Sequence, residues 1–316
     1  MPRPRALYSE TVRFAVPNTT ALVTDGGLAT TLEAAGFDLS DPLWSARLLL
    51  DAPTAITAAH REFFRAGADI ATTASYQVSF PGFAARGVDA AQTAAMLHRS
   101  VGLARTAAAD VGGRRRWVAA SVGPYGAALA DGAEYRGRYG LSVAQLAAWH
   151  RPRLEVLAAA GADVLACETV PDVDEAEALV GLLADLDVPA WLSYTIDGRR
   201  TRAGQPLAEA FAVAAGAPQI CAVGVNCCDP ADVAAAIDIA AGVTDKPVIV
   251  YPNSGERWER TRWSGRPTFT ADRAAGWVSA GARLVGGCCR VGPAQIAALA
   301  DRLADPAAGG TATPTG

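Results

Sequence analysis

Short apolar runs alternate with Ala- and Leu-rich segments of helical length along most of this 316-residue chain. Eight of the apolar runs are predicted to be buried strands, because each is too short for a helix. They lie at about 21–25, 69–74, 117–122, 163–168, 189–194, 221–225, 247–251 and 283–287. The predicted helices lie at about 53–66, 89–110, 142–160, 172–185, 206–215, 230–240, 270–280 and 293–303. Strands that alternate with helices predict a parallel sheet, and eight repeats favour a closed (β/α)8 barrel, the TIM barrel fold.

Residues at the predicted helix starts support these boundaries. Asp172 and Glu175 have the spacing of a capping box, in which each side chain bonds the other residue's backbone N–H. Pro230 and Pro293 are expected at first helical positions, where a missing N–H does no harm.

The composition favours one large domain. Hydrophobic residues make up 51% of the chain and charged residues only 19%, which is enough apolar material for a sizeable core. α/β barrels reach this length as a single domain. We therefore predict an N-terminal extension at 1–14, one barrel domain at 15–304 and a disordered Pro/Gly/Ala/Thr-rich tail at 305–316.

Charge and hydropathy exclude several classes of partner. The formal net charge is −4 and no basic stripe is available to neutralise phosphates, so nucleic acid is not an expected partner. No apolar run approaches the ~18 residues that a membrane-spanning helix needs. The basic first residues are not followed by the apolar segment of a secretory signal. These features predict a cytoplasmic protein with reduced thiols, and they leave its oligomeric state open.

Four of the six cysteines occur in two short clusters. These are Gly224-Val225-Asn226-Cys227-Cys228 and Gly286-Gly287-Cys288-Cys289, each near the end of a predicted strand. The clusters are about 60 residues apart, twice the ~30-residue length of a βα unit. In a closed parallel barrel both would therefore face the same mouth, where active sites of this fold lie.

Clustered thiolates predict a metal site. Thiolates select zinc, copper(I) or iron–sulfur clusters, and iron–sulfur clusters normally need four cysteines at closer spacing. Three sulfurs would leave a tetrahedral zinc ion one open position, as in catalytic sites. We predict Cys227, Cys288 and Cys289 as the ligands, because Cys228 is one step nearer the following helix and would point away. An alternative remains open at this point, in which the paired cysteines are simply small buried residues.

A three-thiolate zinc site favours thiol chemistry. Such an ion is already negatively charged overall, which makes it a poor Lewis acid for carbonyls and a poor generator of hydroxide. A substrate thiol has an ordinary pKa of about 8.5, whereas a metal-bound thiol is deprotonated at neutral pH. An electron-rich sulfur of this kind would attack a positively charged methyl donor, because charge is neutralised in the transition state.

An ordered set of short motifs runs along about residues 15 to 303. The motifs are Asp25-Gly26-Gly27-Leu28-Ala29-Thr30, Leu43-Trp44-Ser45-Ala46, Thr72-Thr73-Ala74-Ser75-Tyr76-Gln77, Gly123-Pro124-Tyr125-Gly126, Glu168-Thr169-Val170-Pro171, Gly224-Val225-Asn226-Cys227, Tyr251-Pro252-Asn253-Ser254-Gly255-Glu256 and Gly286-Gly287-Cys288-Cys289. With these motifs the chain resembles the zinc-dependent homocysteine S-methyltransferases, and most of all the branch that uses S-methylmethionine or S-adenosylmethionine. The resemblance implies a TIM barrel in which Cys227, Cys288 and Cys289 bind one zinc ion.

Two carboxylates are expected to bind the amino-acid substrate. Asp25 ends the first predicted strand and Glu168 the fourth, so both reach the barrel mouth, where they could hold an α-ammonium group by charge-assisted hydrogen bonds. The resemblance implies the same role. The backbone N–H groups of Gly26 and Gly27 could take the substrate carboxylate. The remaining predicted substrate-binding residues, all within these motifs, are Thr73, Ser75 and Asn226.

A sulfonium donor favours aromatic faces, for which Trp44 and Tyr76 are the candidates. Asp131, Glu134 and Tyr135, in a loop after the third strand, could line the donor pocket. The Trp- and Arg-containing stretch 253–267 is predicted to be a long loop that could exclude water from the site.

Two other functions stay open at this point, a metal-dependent hydrolase on the same barrel and a non-enzymatic zinc or thiol sensor. The hydrolase is disfavoured because His60, His98 and His150 all lie within predicted helices rather than at strand ends. The motifs do not settle the methyl donor, since S-methylmethionine, S-adenosylmethionine, a betaine and a thetin all present a cationic methyl group. Selenocysteine as an alternative acceptor is also undecided.

Overall fold

Eight parallel strands form the centre of the molecule in the computed structural model, which describes residues 13–39, 44–259 and 262–305. Each coincides with a run that the sequence analysis predicted as a strand. The strands are β1 (Leu22–Val23), β2 (Ile70–Thr72), β3 (Trp117–Val122), β4 (Val164–Val170), β5 (Ala190–Tyr194), β6 (Ile220–Asn226), β7 (Val248–Tyr251) and β8 (Ala282–Val285).

A long helix follows each strand, also as predicted. These helices are α1 (Pro53–Arg65), α2 (Ala90–Val111), α3 (Val143–Ala159), α4 (Val173–Leu183), α5 (Leu207–Ala215), α6 (Val233–Val243), α7 (Ala271–Ser279) and α8 (Pro293–Ala304). Shorter helices that the sequence analysis did not predict lie in the loops after the strands, at Leu28–Ala34, Trp44–Arg47, Leu48–Asp51, Phe80–Ala84, Tyr125–Leu129 and Ala133–Tyr135.

The sheet closes on itself. Neighbouring strands pair in parallel in the order β1, β8, β7, β6, β5, β4, β3, β2. The ends of this series meet where Thr24 forms a parallel bridge to Ile70 and Asp25 N donates to Ile70 O at 3.0 Å. The predicted (β/α)8 barrel is therefore confirmed.

Apolar residues form two buried layers. One cluster takes a residue from each of several strands, including Ile70, Trp191 and Leu284, and so fills the barrel interior. The larger cluster lies between the strands and the surrounding helices. Phe14 closes part of the barrel floor, because its ring packs edge-on against Trp117 at 5.2 Å between centroids. The sheet is thereby buried on both faces, as in other closed parallel barrels.

Helix starts show where local sequence rules succeed and fail. Pro293 is the first residue of α8, as predicted. The prediction for Pro230 is wrong, because α6 begins at Val233 after the N-cap Asp232. Asp172 does cap α4, through Asp174 N. Glu175, however, does not complete a capping box, because its carboxylate has partners on other elements.

The boundaries of the barrel domain remain a prediction. Of the predicted extension at 1–14 and tail at 305–316, only residues 13, 14 and 305 lie within the described part of the chain. Within the predicted loop 253–267, Arg257–Glu259 and Arg262–Ser264 form an antiparallel hairpin. Among the described residues, no helix has both the length and the apolar character needed to cross a membrane.

Candidate metal centre and substrate cleft

Three cysteines meet at the carboxyl-terminal mouth of the barrel. Cys227 follows β6, and Cys288 and Cys289 follow β8. Their sulfur atoms all lie within 4.8 Å of one another, and the Sγ atoms of Cys227 and Cys289 are 3.9 Å apart. The structure thus brings together the three sulfurs that the sequence analysis selected from distant parts of the chain.

Backbone contacts fix the cysteines in this arrangement. Cys288 N donates to Pro252 O at 2.7 Å and Cys289 N donates to Asn253 Oδ1 at 3.2 Å, so the loop after β7 holds both residues. Cys227 has a left-handed φ of 48°, which few residues other than Gly, Asn and Asp adopt. Such a conformation is typical of functional sites, where the surrounding structure sustains the strain.

The electrostatics of the cluster favour a bound cation. Hydrogen bonds from Cys227 and Cys288 hold the pKa of the Cys289 thiol well below its usual range. Hydrogen bonds with Cys227 and Cys289, together with burial, raise the pKa of Cys288. One thiolate is therefore stable here, whereas three buried thiolates would repel one another without a positive charge between them. The set of three sulfurs fits a thiophilic metal ion.

The other three cysteines lie outside this cluster. Cys228 is buried in the core between strands and helices, in keeping with its expected direction away from the metal ligands. Cys167 is buried within β4, and Cys221 lies at the opposite end of β6 from Cys227.

Two buried carboxylates line the same cleft as the cysteines. Asp25 follows β1, and its Oδ2 accepts a hydrogen bond from Thr72 N at 2.7 Å. Burial raises the pKa of Asp25 to about 8, and the nearby Glu168 adds to this effect. Burial likewise raises the pKa of Glu168 to about 7, although hydrogen bonds from Ser121 and Tyr251 oppose it. Within the described part of the chain, neither carboxylate forms an ion pair with a cationic side chain, so each can bind a cationic group of a ligand.

Hydroxyl groups hold Glu168 in place. Ser121 Oγ donates to Glu168 Oε1. Thr73 Oγ1 accepts from Ser121 N at 3.1 Å and pairs with Ser75 Oγ at 2.7 Å, and Ser75 Oγ donates to Ser121 O at 2.7 Å. Thr73 lines the cleft, whereas Ser75 lies behind it. Direct substrate binding by Ser75 is therefore not supported by its position, and its contacts are those of a residue that orients others.

Asn226 also serves mainly to position its neighbours. Its Oδ1 accepts from Thr169 N at 2.7 Å and from Ser193 Oγ at 2.8 Å. Its Nδ2 donates to Thr169 Oγ1 at 2.7 Å. These bonds stabilise the left-handed φ of 59° at Thr169, which directly follows Glu168.

Gly26 and Gly27 allow two loops to approach each other. A Cβ atom on Gly26 would lie 2.1 Å from Val291 O, and one on Gly27 would lie 2.7 Å from Cys288 O. Gly27 N donates to Val291 O at 2.8 Å. The Gly27 N–H thus fixes the cysteine loop, and the contact of the Gly26 and Gly27 N–H groups with a substrate carboxylate stays a prediction.

Aromatic residues border the cleft. Tyr76 lines it close to Thr169. Tyr135 also lines it, with its side chain partly exposed to solvent. Asp131, which was predicted to line the donor pocket with Glu134 and Tyr135, does not line this cleft. Trp44 begins a 3-10 helix, but its side chain lies outside the described part of the structure, so its role stays a prediction.

The sequence analysis did not identify Ser121, Thr169 and Tyr251 as contributors to this site. Thr169 and Tyr251 lie inside motifs already singled out, so their position carried a signal. Ser121 stands out only as a hydroxyl residue near the end of an apolar strand.

A second buried polar cluster lies apart from the cleft. Glu175 Oε1 accepts from Tyr125 N at 2.5 Å and pairs with His150 Nε2 at 2.8 Å. Arg153 Nη2 contacts His150 Nδ1 at 2.9 Å and also donates to Gly123 O. Burial raises the pKa of Glu175 to about 7, while the charge of Arg153 opposes the shift. None of these residues lines the cysteine cleft.

Comparisons with known proteins agree with this site. A family model described as homocysteine S-methyltransferase matches residues 22–303. A homocysteine S-methyltransferase from Escherichia coli is 47% identical over 293 residues, which cover 89% of this chain and 94% of the relative. The homocysteine S-methyltransferase YbgG from Bacillus subtilis is 43% identical and covers 88% of this chain and 93% of its own length.

A solved structure also superposes closely. The metallated form of the homocysteine methyltransferase MmuM from Escherichia coli has a TM-score of 0.80 and 47% identity, with 89% of this chain and 96% of that chain covered. A metallated relative together with the three-cysteine group confirms the prediction of a metal cofactor. The family inferred from the sequence motifs is confirmed as well: this chain belongs to the homocysteine S-methyltransferase family.

Proposed function

We propose that this protein transfers a methyl group from a sulfonium donor to the sulfur of homocysteine and so produces methionine. The observation that carries this proposal is that three sulfurs meet two carboxylates in one cleft, and that neither carboxylate pairs with a cation of the described residues. That combination offers a site for a thiophilic metal and, beside it, a site for an α-ammonium group.

Zinc is the metal that this donor set fits best. Cys227, Cys288 and Cys289 would hold it, since three thiolates leave a tetrahedral ion one open position for a ligand. When bound, zinc supplies one chemical property, which is to keep a substrate thiol deprotonated at neutral pH.

Asp25 and Glu168 would orient homocysteine. Both are buried, with pKa values raised to about 8 and about 7, because no positive charge offsets their desolvation. The α-ammonium group of homocysteine supplies that charge. It has only N–H donors, so it would donate hydrogen bonds to both carboxylates. Ser121 and Thr72 hold the two carboxylates in fixed positions, which aligns the amino-acid end of the substrate.

Methyl transfer then requires an in-line approach of sulfur to the donor's methyl carbon. A new carbon–sulfur bond forms to homocysteine while the bond to the donor sulfonium breaks, and its electron pair stays on the donor sulfur. Tyr76 and Tyr135 border the cleft where that cation would lie, and an aromatic face stabilises a desolvated cation by up to ~2 kcal/mol.

The geometry of the cleft does not support the alternative function, a metal-dependent hydrolase. Within the described residues, no histidine lines the cleft. His60 and His150 are fully buried and His98 is exposed on α2. A hydrolase of this fold would need such side chains to activate water.

A donor panel tests the proposal. Zinc-loaded protein is incubated with homocysteine and either S-methylmethionine, S-adenosylmethionine, a betaine or a thetin, and methionine is quantified. We expect methionine with at least one sulfonium donor, and loss of turnover after chelation with recovery when zinc is restored. Full turnover by metal-free protein, or no methionine from any donor, would contradict the proposal.

A further inference from the structure

Glu134 is a third carboxylate at the cleft, and it comes from a different part of the fold than Asp25 and Glu168. It lies in the 3-10 helix Ala133–Tyr135, in the loop after β3. This turn packs directly on Gly126, where an added Cβ atom would lie 2.5 Å from Glu134 N. The backbone of Glu134 is therefore held firmly against the barrel rim.

The carboxylate of Glu134 is incompletely paired. Its Oε2 atom is buried and has no hydrogen-bond partner among the residues that the structure describes. Arg136, whose charge acts on Glu134, is engaged by Asp131, with Nη2 and Oδ2 3.1 Å apart and Nη1 bonded to Asp131 O at 3.1 Å. A buried acceptor without a donor is unfavourable, and more so when it is charged.

Glu134 reaches the cleft from a different loop than the other two carboxylates. It belongs to the loop after β3, whereas Asp25 follows β1 and Glu168 lies near the end of β4. Thr72 N donates to Asp25 and Ser121 Oγ donates to Glu168, but the Oε2 atom of Glu134 has no such donor among the described residues. Glu134 therefore offers a place for a positive charge in addition to the one that Asp25 and Glu168 provide.

The number of ammonium groups in the reaction decides what Glu134 can bind. Homocysteine has one α-ammonium, and the proposed function assigns it to Asp25 and Glu168. The sulfonium of the donor carries charge but no N–H, so it cannot satisfy the unpaired Glu134 Oε2 as a hydrogen-bond donor. A second α-ammonium would satisfy both the charge and the hydrogen bond.

We propose that Glu134 binds the α-ammonium of the methyl donor and thereby makes the protein select donors that are amino acids. This inference rests on the proposed function. Donors without an N–H group, such as a thetin or a betaine, would leave the carboxylate unpaired and be disfavoured.

Two donors that differ only at the amino group test the role of Glu134. One is S-methylmethionine and the other is its deamino analogue, 4-(dimethylsulfonio)butanoate, in which hydrogen replaces the α-ammonium. Dissociation constants are measured by calorimetry with zinc-loaded wild type, Glu134→Gln and Glu155→Gln, and methionine formation is followed in parallel. Glu155→Gln is the matched control, since it makes the same chemical change at an exposed glutamate that does not line the cleft and leaves the pair between Asp131 and Arg136 intact.

The wild type should bind the amino donor about 10- to 100-fold more tightly than the deamino donor, the factor expected for one charge-assisted hydrogen bond. Glu134→Gln should lose most of that preference and leave the affinity for the deamino donor and for homocysteine within ~2-fold. Glu155→Gln should keep the wild-type preference for the amino donor.

Equal weakening of both donors by Glu134→Gln, or no weakening of either, would overturn the inference. Binding that follows the expected pattern without any methionine formation would instead contradict the proposed function alone.

Discussion

Glu168 and Glu175 belong to the same βα unit but show opposite uses of a buried carboxylate. Glu168 lies near the end of β4 and Glu175 in the first turn of α4. Both side chains are buried, and burial raises both pKa values to about 7. Glu168 faces the cysteine cleft with hydroxyl groups as its hydrogen-bond donors, whereas Glu175 is enclosed with His150 and lies near the guanidinium of Arg153.

The comparison teaches that burial and a shifted pKa do not by themselves identify a functional carboxylate. Structural networks shift pKa values as strongly as active sites do. The distinguishing features are access to a cleft and the lack of a cation supplied by the protein. By both criteria Glu168 is prepared for a ligand, and Glu175 is part of the framework that positions the loop at Gly123 and Tyr125.

The largest effect on activity is expected from the metal ligands in the cleft that Glu168 faces. Cys288→Ser should abolish both stoichiometric zinc binding and methionine formation, because a neutral hydroxyl is a poor zinc ligand. Zinc content by mass spectrometry and turnover by methionine formation are the measurements. Cys221→Ser, at the far end of β6, is the matched control and should retain both. A Cys288→Ser protein with full activity would rule out the assigned role.

A large effect on stability is expected at Glu175, which lies in the enclosed cluster with His150. Glu175→Gln weakens the hydrogen bonds that the buried carboxylate forms with Tyr125 N and His150 Nε2, and losing a buried hydrogen bond to a charged group typically lowers the free energy of unfolding by ~1–3 kcal/mol. Urea denaturation would measure it. Glu155→Gln, at an exposed pair with Arg151, is the control and should change stability by less than ~0.5 kcal/mol. If Glu175→Gln were as stable as the wild type, the contrast with Glu168 would fail.

The corresponding change at Glu168 should act on binding instead. Glu168→Gln should raise the Michaelis constant for homocysteine about 10- to 100-fold, because a charge-assisted hydrogen bond to the ammonium is lost. Zinc content and the free energy of unfolding should stay near the wild-type values, since Gln keeps the oxygen that accepts from Ser121 Oγ and lies in the open cleft rather than in an enclosed network. Unchanged homocysteine kinetics, or a stability loss as large as that of Glu175→Gln, would contradict the assignment.

The smallest effect concerns a buried titratable group with no assigned function. His60 lies in α1, and neither ring nitrogen has a partner in the described part of the chain. Burial lowers the pKa of His60 to about 4. Between this value and the unfolded value of about 6.5, the unfolded chain binds a proton that the folded protein does not, so stability is lost as pH falls through this window.

His60→Leu should remove this part of the pH dependence, which amounts to about 1 kcal/mol at pH 5.5. Urea denaturation at pH 7.5 and 5.5 provides the comparison, and His98→Leu, at an exposed position, controls for the loss of a histidine as such. The same loss of stability on acidification in wild type and His60→Leu would show that His60 does not sense pH in this way.

The sequence was sufficient for the barrel and for the three sulfurs because both depend on periodic or local patterns. Apolar runs separated by helical segments define the strands, and cysteines two βα units apart must share a mouth in a closed barrel. The contacts of Glu175 could not be predicted in the same way. A local capping rule applied to its spacing from Asp172, but His150 and Tyr125, brought near by the fold, are its actual partners.

Two further details have the same origin. The Gly27 N–H bonds Val291 O, a residue near the other end of the chain, which the local sequence does not indicate. Pro230 was expected to begin a helix, and Asp232 caps it instead. Local sequence identifies which residue types are present at the mouth, whereas long-range packing decides which of their polar groups remain available to a ligand.

X-ray absorption at the zinc edge, with and without homocysteine, tests the central claim most directly. The account predicts about three sulfur ligands at ~2.3 Å in the free protein and about four when homocysteine is present. A fourth protein sulfur already bound before homocysteine is added, or a sulfur count that homocysteine does not change, would contradict it.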